Sequence, residues 1–206
     1  MAHYRLSFTA ASFFLHESIE LAKLYLELND WNKAIATLIN AHSNKRSIST
    51  IKRESSELIL RLKNLSDELL NRFVTTDIDD AKIILLYAIL KSYPIIKLFS
   101  LELLYEKIDM LDFQIQEYEI NAFFRKQEEI YEEFAKKSDA SKYKIKQVII
   151  KILADATLIK STKEKIIIKP IIESKTAKLI LKDSDKSYLK ALLMNDNEIS
   201  MLGATS

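Results

Sequence analysis

The chain has 206 residues, 48% of them hydrophobic and 29% charged, enough to bury a core in one domain or two small ones. One Gly and two Pro argue against turn-rich β architectures and Gly-rich phosphate loops, and the lack of Cys excludes disulfides, thiolate metal sites and thiol nucleophiles. The formal net charge of +2 conceals a segregation: residues 65–135 carry 7 basic and 15 acidic side chains, residues 136–190 carry 15 basic and 6 acidic, so an anionic partner is expected for the basic part.

In chain order, Ser12 is read as the cap of a first helix reaching Asn29, with Leu15, Ile19, Ala22 and Leu26 on its buried stripe. Asp30 caps a second helix, in which Trp31, Ile35, Leu38 and Ile39 recur at helical spacing. Trp31 reads as a core anchor in preference to a stacking platform. A polar connection, NAHSNKRS (40–47), leads to a third helix ending near Leu65, and Ser66 starts a short fourth. Asp77 opens a fifth helix, with Asp79 and Asp80 favourably placed in its first turn. From Ile78 to Tyr93 that helix is apolar nearly all round, which suits the middle of a bundle. Its longest uncharged apolar run, IILLYAIL (83–90), is far short of the roughly 20 residues a membrane span needs. The N-terminal MAHYRLSFTAASFF lacks the pattern of a signal peptide. A soluble, cytoplasmic protein is therefore expected.

Pro94 stops or kinks the fifth helix, and a sixth runs from Ile95 to about Glu106. Residues 108–116 read as a connector, and a long acidic helix as running from Glu117 to about Lys136. Ser138 then caps the helix containing KYKIKQVIIKIL (142–153), whose buried stripe is Ile145, Val148, Ile149, Ile152 and Ala156. TLIK (157–160), STKEK and IIIK (166–169) read as a two-stranded β-hairpin ended by Pro170. Ser174 and Asp183 are read as caps of two last helices, with a frayed tail from Asn195. The division expected is an N-terminal helical bundle (1–112) and a C-terminal basic helical region with the hairpin (113–206), or one continuous domain.

The chemistry is sparse. His3, His16 and His42 are scattered, without the tight spacing of a metal site. Glu117, Glu119, Glu128, Glu129, Glu132 and Glu133 could be paired carboxylates of a nuclease, but their spacing is that of a solvated helix face or of a docking surface for a basic protein. No catalytic residue, metal or cofactor is expected. The basic block is the strongest signal. Lys142, Lys144, Lys146 and Lys151 sit on its helix and Lys160, Lys163, Lys165 and Lys169 on the hairpin, a layout like a winged helix, in which the helix enters the major groove and the wing touches backbone. Such lysines are either phosphate contacts or a solvated face. A second cluster, Lys45, Arg46, Lys52 and Arg53, spans a loop and a helix start.

Taken in order, YRLSFTAASFFLHESIELAKLYLE, DWNKAI, SISTIKRESSELILRLKNLSDELL, AKIILLYAILKSYPIIKLF and SKYKIKQVIIKILADATLI with IIIKPII resemble the BrxA family of bacteriophage-exclusion (BREX) phage-defence systems. The similarity runs from about Tyr4 to Leu193. Its most specific elements are Glu17–Ser18, Asp30–Trp31, the R-L-x-x-L of Arg61–Leu65 and Tyr93–Pro94, none of them catalytic. Glycines expected near Ala10–Ala11 and Ala156–Thr157 are missing. The resemblance implies a mainly helical, NusB-like protein without enzymatic activity that binds double-stranded DNA and works with other BREX proteins; the hydropathy argues against a membrane partner, and no small-molecule substrate is expected.

Overall fold

A computed structural model of the chain describes residues 5–42 and 47–204 as mainly helical. After a 3-10 turn at Ser7–Ala10 come α1 (Leu15–Leu28), α2 (Trp31–His42), α3 (Ile48–Leu62) and α4 (Asp67–Thr75). Short polar side chains set the starts of three of these by satisfying free amides. Ser47 and Ser66 accept from Thr50 and Leu69, and Asp30 accepts from Asn32 and Lys33. The first helix starts later than the expected Ser12 cap. Phe14 takes a left-handed conformation (φ 49°), and the Ser12 hydroxyl accepts from Phe13 instead.

Asp77 caps α5 (Ile78–Ser92) by accepting from Asp79 and Asp80 at 2.9 and 3.0 Å. From Ile83 to Leu90 every residue of this helix is buried. The helices α1, α3 and α4 pack on it, as do α6 (Pro94–Phe99) and α11 (Ser174–Asp183). Pro94 occupies the first turn of α6, where its missing N–H costs nothing. A π-helical turn (Ser100–Tyr105) then joins α6 to α7 (Glu106–Asp109). Among the described residues no single helix is long and apolar enough to cross a membrane. The pair Ile78–Ser92 and Pro94–Asp109 passes that test only together, and it is bent by 113°.

The remaining helices are α8 (Glu117–Ile130), α9 (Glu132–Ala135), α10 (Asp139–Asp155), α11, α12 (Ser187–Ala191) and α13 (Asp196–Ala204). Three differ from expectation. The acidic helix breaks at Tyr131, which is extended, and Phe134 beyond the break packs on Phe124 with ring centroids 5.7 Å apart. The tail from Asn195 is helical, because Ile199 and Leu202 are buried and Asn195 and Glu198 exchange hydrogen bonds across the first turn. Asp183 ends α11 and does not cap α12; Asp185 instead accepts from the Ser187 amide at 2.7 Å.

The two-stranded hairpin is present only in reduced form: TLIK and IIIK face each other antiparallel, with Lys160 donating to Ile166 and Ile168 to Leu158, both at 2.8 Å, but neither segment extends into a strand. Among the described residues there is no extended strand pair, only the isolated antiparallel bridges Ile159–Ile167 and Gln114–Ile166. Residues 113–115, read as plain connector, take the other side of the IIIK segment: Ile167 donates to Phe113 at 2.7 Å and Ile115 donates to Lys165 at 3.1 Å. Thr157 and Lys165 have φ of 63° and 50°, a region uncomfortable above all for β-branched Thr157, and these kinks stop the ladder from growing. A segment held on both sides is not a free wing.

Two polar anchors hold the layers. Asp80 accepts from Arg72, Thr76 and Thr176, docking α11 against α4 and α5. Arg61, fully buried, donates to the carbonyls of Ala11 and Ser12 and to Tyr93 Oη, tying the segment before α1 to α3 and α5. Burial first, and then the hydrogen bond to Glu57, push the Tyr93 hydroxyl up to about 12 against the pull of Arg61, so it stays a donor across the physiological range.

Ile84 and Leu85 have no exposed surface. Truncating either to Ala is expected to cost about 2–5 kcal/mol, read as a lowered Tm in thermal denaturation; unchanged melting of both variants would contradict this core. Asp183 gives a pH prediction. Burial pushes its carboxyl up, but hydrogen bonds from Lys91 and Tyr87 outweigh that and hold it below its ordinary 3.8. Its folded pKa being depressed, its stabilisation is present above 3.8 and is lost as pH falls through the folded value. The Tm deficit of Asp183→Asn should therefore be largest near neutrality and shrink below 3.8; a deficit that stays constant through that range would contradict the assignment.

Candidate nucleic-acid interface

Helix α10 carries the central candidates. Ser138 caps it by accepting from the Ser141 amide, and Ile145, Val148, Ile149 and Ile152 are buried as the periodicity requires. The lysines divide by edge. Lys142 turns back onto α8 and pairs with Glu128 at 2.9 Å, its side chain only 15% exposed. Lys146 donates to Asn121 on the same helix at 2.9 Å and lies over the Phe124 ring at 5.4 Å. On the other edge Lys151 pairs with Asp155 one turn on, at 3.1 Å. Lys144 is exposed and has no carboxylate partner among the described residues.

The bridged segment repeats the pattern. Lys160 pairs with Glu164 at 2.8 Å, Lys165 with Glu117 at 3.3 Å and Lys169 with Glu198 at 2.7 Å. Lys163, on the turn, is exposed and without such a partner among the described residues. Of the second cluster, Lys45 and Arg46 lie outside the described residues, while Lys52 and Arg53 are exposed on α3.

The structure thus brings the acidic and basic stretches of the chain onto each other. Glu128 and Glu117 of the acidic helix answer Lys142 and Lys165, and Glu119 holds Lys107 at 2.6 Å. Glu164 is held below the ordinary carboxylate range, chiefly by its hydrogen bond from Lys160. These acids are engaged in the fold, which leaves less of an acidic face for a docking partner. Among the described residues no three or more His, Asp or Glu side chains gather as a metal site; His42 sits against Glu20 at 3.0 Å and His16 is exposed. Trp31 stacks on Tyr25 at 3.9 Å, half-buried against the core, as the anchor reading expects.

Sequence reasoning did not find an open groove of about 1000 Å³ between residues 5–9 and the approach to α10. Arg5, Lys136, Lys137 and Lys144 line it, together with Glu57 and Glu133. Lys136 pairs with Glu132 at 2.7 Å; Arg5 and Lys137 are exposed and unpaired among the described residues. Of its cations the sequence singled out Lys144 and offered the Lys136–Lys137 doublet before the Ser138 cap as a further signal, while Arg5 lies far away in the chain.

The distinction between edges is testable by melting. Lys142→Gln breaks a half-buried pair and should lower the Tm, whereas Lys144→Gln should change stability by no more than the roughly ±0.5 kcal/mol typical of surface changes. Equal effects of the two substitutions would show that the pairing carries no weight.

The family model of BrxA matches residues 2–184. The BREX protein BrxA of Bacillus cereus (strain H3081.97) is 33% identical over 149 residues, covering 71% of this chain and 72% of that protein. Among solved structures, that of an uncharacterized protein from Magnetospirillum magneticum superposes with a TM-score of 0.78 over 93% of this chain and 98% of the other. Their identity is 16%, so the likeness is one of fold alone.

Proposed function

This chain belongs to the BrxA family, and on that premise we propose that it is a non-enzymatic accessory protein of BREX phage defence that binds double-stranded DNA in the cytoplasm. The observation that carries the DNA reading is the basic stretch 136–190, whose 15 cations are all lysine and outnumber its 6 acids. Internal pairing uses part of that charge and leaves Lys137, Lys144 and Lys163 exposed. Lysine meets phosphate as a point charge, while bidentate reading of guanine is mainly an arginine task. Binding should therefore follow the backbone with little preference for sequence. Other BREX proteins remain its expected partners, and a NusB-like or winged-helix comparison adds nothing that the lysines require.

A titration of purified protein, without partners, against duplexes of unrelated sequence tests this. Affinity should be similar for all of them and fall with salt, with a log–log slope of roughly −3.6 for four phosphate contacts at about −0.9 each. Absence of binding at low salt would sink the reading. Cleavage of the duplex on adding magnesium or manganese would overturn the non-enzymatic part.

A further inference from the structure

We propose that the groove between residues 5–9 and the approach to α10 is where a DNA strand's phosphodiester backbone seats, a reading that rests on the DNA binding proposed above and gives it a place. Cations that already hold a carboxylate must give up that pair to take a phosphate, so they gain little. Lys142, Lys160, Lys165 and Lys169 are in that position. Arg5, Lys137 and Lys144 are not: all three are exposed, none has a carboxylate partner among the described residues, and all three line one groove. They come from two parts of the chain more than a hundred residues apart, and the fold alone brings them together.

The groove's acids shape the mode of binding. Glu57 accepts hydrogen bonds from Tyr93 at 2.5 Å and from Ser7 at 3.1 Å, which fix its charge in place. Glu133 also lines the groove. Fixed negative charge repels phosphate locally, so the strand rides along the cationic rim and does not fill the cleft. The amino end of α10 adds the positive end of a helix dipole, offset in part by Asp139 in its first turn. A cleft of about 1000 Å³ lies at the upper end of the roughly 300–1,000 Å³ of small-molecule sites. Its openness and charged lining fit a chain-like anion instead.

The experiment compares the parent with two charge-matched triple variants by fluorescence anisotropy on a mixed-sequence duplex across a salt series. One is Arg5→Gln/Lys137→Gln/Lys144→Gln. The other, Lys33→Gln/Lys175→Gln/Lys186→Gln, removes three exposed cations away from the groove. The groove variant should bind at least about ten-fold more weakly, with a slope shallower by up to about 2.7, at about 0.9 per lost contact. The other variant should stay close to the parent. Circular dichroism and melting should be unchanged in both, and Lys137→Glu alone should shift affinity in the same direction as the groove triple. Equal losses in the two triples would show a diffuse charge effect and overturn the groove, as would a groove variant that keeps the parent's slope. A parent that binds no duplex removes the DNA reading and the groove with it. A poly-glutamate peptide is the remaining arm. If the groove substitutions abolish its binding while duplex binding persists, the groove is a seat for an acidic protein segment instead.

Discussion

A helix that is apolar on every side cannot face water anywhere, and α5 imposes that condition on the whole chain. From Ile83 to Leu90 it offers no polar stripe. Its neighbours must therefore close a complete shell, with α1, α3, α4, α6 and α11 around it. The two tyrosines near its carboxyl end carry the polar contacts that this shell needs. Tyr87 donates to Asp183 of α11, and Tyr93 donates to Glu57 of α3. Each hydroxyl lets an apolar ring stay buried while its tip holds an outer helix in one orientation. The sharp bend at Pro94 then lets the chain go on packing against the same core after α5 has ended.

The charge segregation of the sequence has an internal use. Glutamates of α8 meet lysines of α10 and of the bridged segment, so part of the opposite charge is spent on folding one half of the chain against the other. Half-exposed pairs of this kind are individually weak, and salt weakens them further. Their larger effect is to decide which lysines remain available. The KYKIKQVIIKIL stretch thus has three kinds of lysine: Lys142 and Lys146 bound inward to α8, Lys151 occupied within its own helix, and Lys144 left open. A net charge per segment cannot separate them.

The helices were legible because their signals are local. Asp30, Ser66, Asp77 and Ser138 cap where short polar residues precede apolar periodicity, and the stripe of α10 is buried where the spacing places it. The β segment was legible only in part, for the opposite reason. IIIK has strand-forming residues, but its second neighbour is Phe113–Ile115, some fifty residues earlier, and nothing in TLIK or STKEK announces it. The missing glycine near Ala156–Thr157 was a better clue than it looked, since Thr157 does adopt the left-handed conformation that a glycine would take at ease. The groove was invisible because Arg5 and Lys144 are neighbours only in three dimensions.

Arg61 has a consequence for how the protein is made. Its guanidinium fastens Ala11 and Ser12 across sequence separations of 50 and 49 residues, and the Tyr93 that shares it comes 32 residues later still. Synthesis runs from the amino end, so residues 8–13 emerge before α3 and α5 are there to dock on. They must wait, with Phe8 and Phe13 uncovered, until α3 and the end of α5 have emerged. Residues 8–13 thus precede their docking partners in synthesis and keep apolar side chains uncovered until those partners have emerged.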